Sequence, residues 1–519
     1  MTERLASLLG IVALLGIAYA CSTDRRRVPW RIVAVGILLQ IYLALFLVRV
    51  EWVPVTLTAA AAICAGILLL DGVRPLGGHW APTARGLGLL GFWVTVVWAI
   101  VLGGKGMLGL STLAALAGFG LLLWARPDLR RSFRAAATLS GCVAPVVLLW
   151  RGALPHDFVF RSLEGLGRGV SWVAGFAAKG ADQVFGGLRV EGGFVFAIEV
   201  GSIILLFSAL LSVLYYVGFL PWLVGWMARL LHRALGVSGA ESLATASNIF
   251  LGQTEAPLVV RPYLDRMTQS ETNALMTGGF ATIAGSVLAA YVQMLNQAGL
   301  SRGAADLIAA SVMSAPAAFV FAKLFVPETE IPETLQGAKL EREQVGSSLL
   351  DALAGGVTAG LRLAINVVAM LLVFYALIAM LNAAVDWAAR EFLTAEKPVT
   401  FQRIYSYAFW PLAWMMGVPF HECLNVGQLL GTKTIFNEFV GYMELAGMLR
   451  DDAISPRAAV LSTYALCGFA NFMSIGIQIG GLSGLCPARR TSYVKLAFRA
   501  MVAGTFACQL TACIVSLLY

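Results

Sequence analysis

Long apolar stretches alternate with short polar ones along most of this chain. Apolar segments fall near residues 5–22, 31–49, 52–71, 87–104, 107–125 and 136–150. A more polar, glycine-rich stretch follows, HDFVFRSLEGLGRGVSWVAGFAAKGADQVFGG, whose pattern predicts amphipathic helix lying at a membrane interface. Spans resume at 194–217, 220–236, 243–264, 273–296 and 304–325. Residues 326–348 read as a solvated loop, because Pro and Glu break any apolar period there. Segments 356–384, 403–418, 424–447, 458–483 and 493–518 complete the pattern. Many of these reach the roughly 20 residues that a helix needs to cross a bilayer. The alternation of a transmembrane barrel is missing, so the fold class is an all-α polytopic membrane protein.

Two of the runs are interrupted. The first holds NIFLGQTEAPLVVRPYL from Asn248, where Pro257 removes a backbone donor and clashes with the preceding turn, so a helix must stop or kink there. Freed backbone groups are tolerated only against protein or a water-filled cavity, which a re-entrant hairpin with GQTE at its tip would provide. An ordinary Pro-kinked spanning helix is the competing reading. The second interrupted run holds GTKTIFNEF from Gly431. Each is followed by a related segment, GGFATIAGSV from Gly278 and CGFANFMSIG from Cys467. Matched interrupted segments in the same order point to an inverted-repeat transporter with two re-entrant helical hairpins and a site where the repeats meet.

Composition strengthens the membrane reading. The 519 residues are 59% hydrophobic and only 13% charged, about half the roughly 25% charge of soluble proteins, and mean hydropathy is +0.79. The net charge of +8 does not imply nucleic acid. Its basic residues form short clusters between apolar runs (Arg25, Arg26, Arg27 and Arg31; Arg126, Arg130, Arg131 and Arg134; Arg489 and Arg490), as cytoplasmic loops do under the positive-inside rule. Eight scattered cysteines with no CxxC pair indicate neither a zinc site nor a disulfide framework. MTERLASLLGIVALLGIAYAC imitates a secretory signal, yet the arginines after Cys21 favour a retained first helix with that loop in the cytoplasm.

Glu255 and Glu438 are the costly residues, since an ionised carboxylate at the bilayer centre carries a penalty of at least about 2.5 kcal/mol. Three readings compete: a structural ion pair with a basic residue such as Lys433 or Arg261, an acid/base pair of an intramembrane enzyme, or acceptors for a polar ligand. Gln253, Thr254, Asn437, Asn471 and Ser474 make the inventory rich in neutral donors and acceptors and poor in nucleophile–base pairs, which favours ligand recognition over catalysis. Elsewhere, GKGMLG from Gly104 fits GxGxxG but lacks a preceding strand and reads as a loop. Glu199 and Arg362 read as paired structural charges. His421 beside Glu422 could titrate near neutrality, although a cap or loop role is the commoner explanation.

SGAESLATASNIFLGQTEAPLVVRPYL from Ser238, MTGGFATIAGSVLAAYV from Met276, INVVAMLLVFYALIAMLN from Ile365, GTKTIFNEFVGY from Gly431 and ALCGFANFMSIGIQIGGL from Ala465 together resemble the concentrative nucleoside transporter family. Gly441 stands where the family signature has alanine. The resemblance divides the chain into N-terminal helices over 1–50, additional segments of unknown role over 51–155, an interfacial amphipathic region over 156–193 and a transporter core over 194–519. It implies a homotrimer in the cell membrane whose protomers each move a transport domain against a scaffold, elevator fashion, and import nucleosides such as uridine or adenosine. Carried over by position, Gln253, Thr254, Glu255 and Val287 would contact the nucleobase. Glu438, Phe469, Asn471 and Ser474 would contact the ribose and its surroundings. The family's sodium ligands would fall on the Asn248 side chain, the Leu251 carbonyl, the Thr282 hydroxyl and the Ile283 carbonyl. A coupling proton riding on Glu255 or Glu438 is the alternative to sodium, and a non-transporting membrane nucleoside sensor or gate is the alternative to transport.

Overall fold

The structure is a computed structural model that describes residues 2–47, 157–186, 196–300, 302–338, 346–393 and 399–519. The segments expected over 52–150, GKGMLG, Cys64 and Cys142 lie outside the described residues. The chain forms two compact units, one of Met1–Ala44, Arg161–His232 and Val237–Tyr519, the other of Leu45–Phe160 and Arg233–Gly236. Contacts given below belong to the first unit.

The described residues are helical. In order come α1 (Thr2–Ala20), α2 (Trp30–Leu47), α3 (Asp157–Phe185), α4 (Phe196–Val217) and α5 (Phe219–Leu235). The first repeat is α6 (Gly239–Asn248), a 3-10 helix over Ala256–Tyr263, α7 (Gln269–Ala281), α8 (Gly285–Gln297) and α9 (Gly303–Phe325). Next are α10 (Leu349–Leu393) and α11 (Phe401–Met415). The second repeat is α12 (Cys423–Ile435), α13 (Glu438–Arg450), α14 (Pro456–Leu466), α15 (Phe472–Leu485) and α16 (Arg490–Leu518). Six helical stretches among the described residues are long and apolar enough to cross a membrane.

Two expected spans are corrected. Residues 220–236 form α5, only 17 residues, with Leu220, Val224, Ala228 and Leu231 buried at helical spacing while Trp222 and Trp226 are exposed. That is an amphipathic helix, not one that is apolar all round. Residues 403–418 become the 15-residue α11, about 22 Å at 1.5 Å per residue, short of a hydrocarbon core of about 30 Å. In contrast, 356–384 extends into the 45-residue α10. The segments 273–296 and 458–483 each contain a break, at 282–284 and 467–471.

Burial separates two structural classes. In the most apolar 18-residue window of each span, 94% of the residues in the α7–α8 stretch and 89% of those in α9 are buried, against 28% in α4 and 17% in α10. Scaffold helices α4 and α10 pack on each other and carry Glu199 and Arg362, respectively. Their backbones come close where Gly356 and Gly360 face Ala209 and Leu205: a Cβ on either glycine would approach those Cα atoms to 2.7 and 3.0 Å. Small residues at such contacts allow close helix packing in lipid. Buried repeat helices form the transport domain, and their interior polar side chains are enclosed by protein.

The ends of the hairpins show that they are re-entrant and inverted. At the base of hairpin 1, the N-caps of α6 and α7 lie together: Ser238 and Thr268 each form a capping box with Glu241 and Glu271, and the Ser238 hydroxyl also donates to Glu271. Lys323, near the end of α9, pairs with Glu241 at 2.7 Å in the same layer. At the base of hairpin 2, the Glu422 carboxylate accepts from the Ser455 amide and hydroxyl, both at 2.7 Å, and the Asn425 amide donates to the Ala453 carbonyl at 2.9 Å. Each hairpin therefore leaves on the side where it entered. Helix α1 links the two sides: Glu3 pairs with Arg457 at 3.4 Å beside the second base, and the Thr23 amide donates to the Phe325 carbonyl at 3.0 Å beside the first. Its 19 residues span about 28 Å, so the hairpins enter from opposite faces. Glu422 thus ties the start of α12 to Ser455, the residue that caps α14.

Candidate functional site

Hairpin 1 turns where its sequence removes helix-forming groups. Helix α6 ends at Asn248, and Pro257 lies in the first turn of the following 3-10 helix, where its missing donor is tolerated. Within the intervening tip, the Glu255 carboxylate is exposed and accepts from the Gly252 amide at 3.0 Å. Gln253 is buried. Its side-chain amide donates to the Ser474 hydroxyl at 3.1 Å, and its carbonyl accepts from Gln478 at 3.1 Å. Gln478 also donates to the Met276 carbonyl at 3.1 Å. Gly279 makes room for that amide, since a Cβ there would lie 2.6 Å from Gln478 Nε2. Exposed Thr254 faces Gly481 of α15.

Hairpin 2 holds its acid more tightly. Asn437 caps α13 through the Val440 amide at 2.9 Å, so Glu438 is the first residue of that helix. One Glu438 oxygen accepts from the Tyr291 hydroxyl at 3.0 Å and the other from the Asn471 amide at 2.9 Å. An ionised carboxylate has about four acceptor positions, so acceptor capacity remains after these two bonds. Tyr291 is fixed by stacking on Tyr442 at 4.3 Å between ring centroids and by an edge contact with Phe439 at 5.3 Å. Val287 is buried one turn before Tyr291 on α8.

The breaks in the two interrupted helices meet. The Phe469 amide donates to the Thr282 carbonyl at 3.2 Å. Gly468 permits this approach: a Cβ there would lie 2.8 Å from the Phe280 carbonyl oxygen. Asn471 then caps α15 by accepting from the Ser474 amide at 2.8 Å. The same side chain thus orients Glu438 and starts the helix carrying Ser474 and Gln478.

Asn248, Leu251, Thr282 and Ile283 converge beside these breaks. The Gly285 amide donates to the Phe250 carbonyl at 3.0 Å, and Gly252 lies against Ala284, which brings the hairpin 1 turn next to the α7–α8 break. The Thr282 hydroxyl donates to Gly278 at 2.9 Å and keeps its own acceptor positions. Buried Asn248 Oδ1 and Thr245 Oγ1 have no hydrogen-bond partner. A Cβ on Gly278 would lie 3.2 Å from that threonine oxygen. Hard oxygen donors at two helix C-termini form an environment that fits a small hard cation.

The candidate ligand residues therefore gather around the two tips and two breaks. Neither Glu255 nor Glu438 makes an ion pair among the described residues, which removes the pairing with Arg261 or Lys433 as the explanation for these acids. Thr245, Tyr291 and Gln478 were missing from the sequence-derived set. Each lies one helical turn from a residue in that set: Thr245 from Asn248, Tyr291 from Val287, and Gln478 from Ser474.

Family models of the Na+ dependent nucleoside transporter N-terminus and C-terminus match residues 9–69 and 306–516, and a nucleoside recognition (Gate) model matches 197–298. The chain is 38% identical over 447 residues to rat sodium/nucleoside cotransporter 1, a match covering 78% of this chain and 67% of the relative. An uncharacterized transporter of Haemophilus influenzae is 45% identical over 355 residues, covering 67% of this chain and 83% of that protein. CNTnw in an inward-facing substrate-bound state matches with TM-score 0.71 and 33% identity, covering 99% of this chain and 97% of the other. A CNTnw variant in an outward-facing state matches with TM-score 0.72 and 33% identity, covering 99% and 98%. These relatives are transporters, which sets aside the reading of Glu255 and Glu438 as an enzyme's acid and base. The chain is a multi-pass membrane protein that belongs to the concentrative nucleoside transporter family.

Proposed function

We propose that this protein imports nucleosides across the cell membrane in symport with sodium, binding the nucleoside between its two hairpin tips. The observation that carries the ligand reading is Glu438: its carboxylate is oriented by Tyr291 and Asn471 yet has no ion pair among the described residues and retains acceptor capacity. Vicinal ribose hydroxyls supply the two donors that such a group can take. Asn471, Ser474 and Phe469 line the ribose side, while Gln253, Thr254, Glu255 and Val287 form the nucleobase side. Glu255 exchanges its bond with the Gly252 amide for a bond to the base edge.

Asn248, Leu251, Thr282 and Ile283 hold the sodium ion, and the unpartnered Asn248 oxygen supports that assignment. Sodium orders the turn of hairpin 1, so nucleoside binds well only beside it, which couples the two by population shift. One charge moving inward through about 100 mV contributes roughly 2.3 kcal/mol, near fiftyfold accumulation, before the ion gradient is added. Arg25, Arg26 and Arg27, beside the first hairpin base, place that base in the cytoplasm. The contrast between the buried repeats and the exposed α4–α10 pair supports an elevator movement of the transport domain within a homotrimer.

Uptake of labelled uridine and adenosine into proteoliposomes under an imposed sodium or proton gradient, one ion at a time, tests this proposal. Accumulation above equilibrium driven by sodium is expected. Accumulation driven only by protons would reassign the coupling ion, and binding without accumulation would favour a sensor.

A further inference from the structure

The two repeats share an order of elements, but their helix C-termini differ in charge. In the first repeat, α6 ends at Asn248 and α7 at Ala281, and neither helix contains a basic residue. Their junction has the unpartnered Thr245 and Asn248 oxygens. In the second repeat, α12 ends at Ile435 and α14 at Leu466. Lys433, 2% exposed, lies in the last turn of α12 and donates to the Ala465 carbonyl at the end of α14, at 2.8 Å. The nearby Thr463 carbonyl accepts from the Tyr442 hydroxyl at 2.8 Å.

A buried ammonium ordinarily needs an anion, because the desolvation of a charge is costly. Lys433 makes no ion pair among the described residues. Its charge is instead matched by the negative ends of α12 and α14. The first repeat presents the same meeting of helix C-termini with oxygen donors but no tethered cation.

We infer that the Lys433 ammonium is a built-in cation, standing in the second repeat where the first takes an exchangeable one. It holds hairpin 2 to the end of α14, just upstream of the segment that delivers Phe469 and Asn471. Hairpin 2 is thereby kept in its binding arrangement without an ion, and only hairpin 1 is ion-dependent. One cation is coupled per nucleoside. Lys433 is a positioning residue, acting on ligand through Glu438 and Asn471, and this inference rests on the cation-coupled reading above.

The test uses the purified full chain in detergent, with labelled adenosine binding and 22Na+ equilibrium dialysis. Wild type is expected to bind one sodium per protomer; two would overturn the inference without any variant. Lys433→Met is expected to weaken adenosine binding at saturating sodium at least tenfold while still binding one sodium, and binding within threefold of wild type would overturn the role. Lys433→Ala vacates the ammonium's place and is expected to bind two sodium ions per protomer. A count remaining at one would show that the lysine occupies no cation site, a distinction that a merely structural lysine would not produce. Should wild type bind no sodium, the coupling proposal fails, while the adenosine affinity of Lys433→Met still decides whether the ammonium positions hairpin 2.

Discussion

Hairpin 1 and hairpin 2 place a glutamate at equivalent points, yet their surroundings differ. Glu438 is buried and held by two side chains from other elements, Tyr291 on α8 and Asn471 at the start of α15. Glu255 is exposed and, among the described residues, its carboxylate bonds locally, to the Gly252 amide within its own turn. Hairpin 2 is therefore organised before ligand arrives, whereas the acidic end of hairpin 1 must reorganise to engage it. Preorganisation lowers the ordering cost of binding, and a reorganising turn is a suitable place for an ion to control affinity. In the proposed function, that difference gives ribose anchoring to one tip and ion-gated closure to the other.

The largest expected effect comes from neutralising the anchored acid. Glu438→Gln keeps its shape but loses the carboxylate, and sodium-driven uridine uptake is expected to fall more than ~100-fold, with normal membrane expression. That scale follows from losing bonds to a charged group worth about 1.5–3 kcal/mol each. Glu255→Gln is also expected to abolish accumulation; normal accumulation by both variants would break the assignment of the tips. Asn248→Ala should raise the sodium concentration for half-maximal uptake about tenfold or more, with little change in uptake at saturating sodium. If its effect fell on nucleoside affinity at saturating sodium instead, hairpin 1 would not be the ion-dependent side.

Tyr291→Phe removes one donor to Glu438 but keeps the ring packing. Nucleoside binding should weaken about tenfold, and discrimination against 2′,3′-dideoxynucleosides should shrink, because a site built to bond hydroxyls rejects analogues lacking them. Unchanged discrimination would move the ribose away from Glu438. The smallest effect is expected for Gly441→Ala, which restores the alanine of the family signature. Its Cβ would lie 3.0 Å from Leu466 Cδ2, the end of a flexible side chain that can give by a few tenths of an ångström, so uptake should stay close to wild type, with no large loss of stability.

The sequence exposed the features that carry a large local cost. Pro257, the carboxylates in apolar runs and the repeated Gly-Phe-Ala segments mark interruptions that a continuous span would not tolerate: the hairpins lie at the first two, and the helix breaks at 282–284 and 467–471 lie at the third. Apolar content without length and periodicity does not define a span: α5 is amphipathic and α11 too short. Tyr291 and Gln478 were hidden because a tyrosine or glutamine one turn along a buried helix has no local signature. Their importance arises from contacts with residues distant in sequence, Glu438 and Gln253. Lys433 was visible as a counter-ion for the acids, but its actual partner is a backbone carbonyl at the end of α14, which side-chain chemistry alone does not suggest.

A cryo-electron microscopy map of the protein in lipid nanodiscs with saturating sodium and adenosine tests the central claim most directly. Nucleoside density is expected between the two tips, with the ribose on Glu438 and Asn471 and the base against Gln253, Thr254 and Glu255. Clear nucleoside density elsewhere, with these side chains left in contact only with one another, would contradict it.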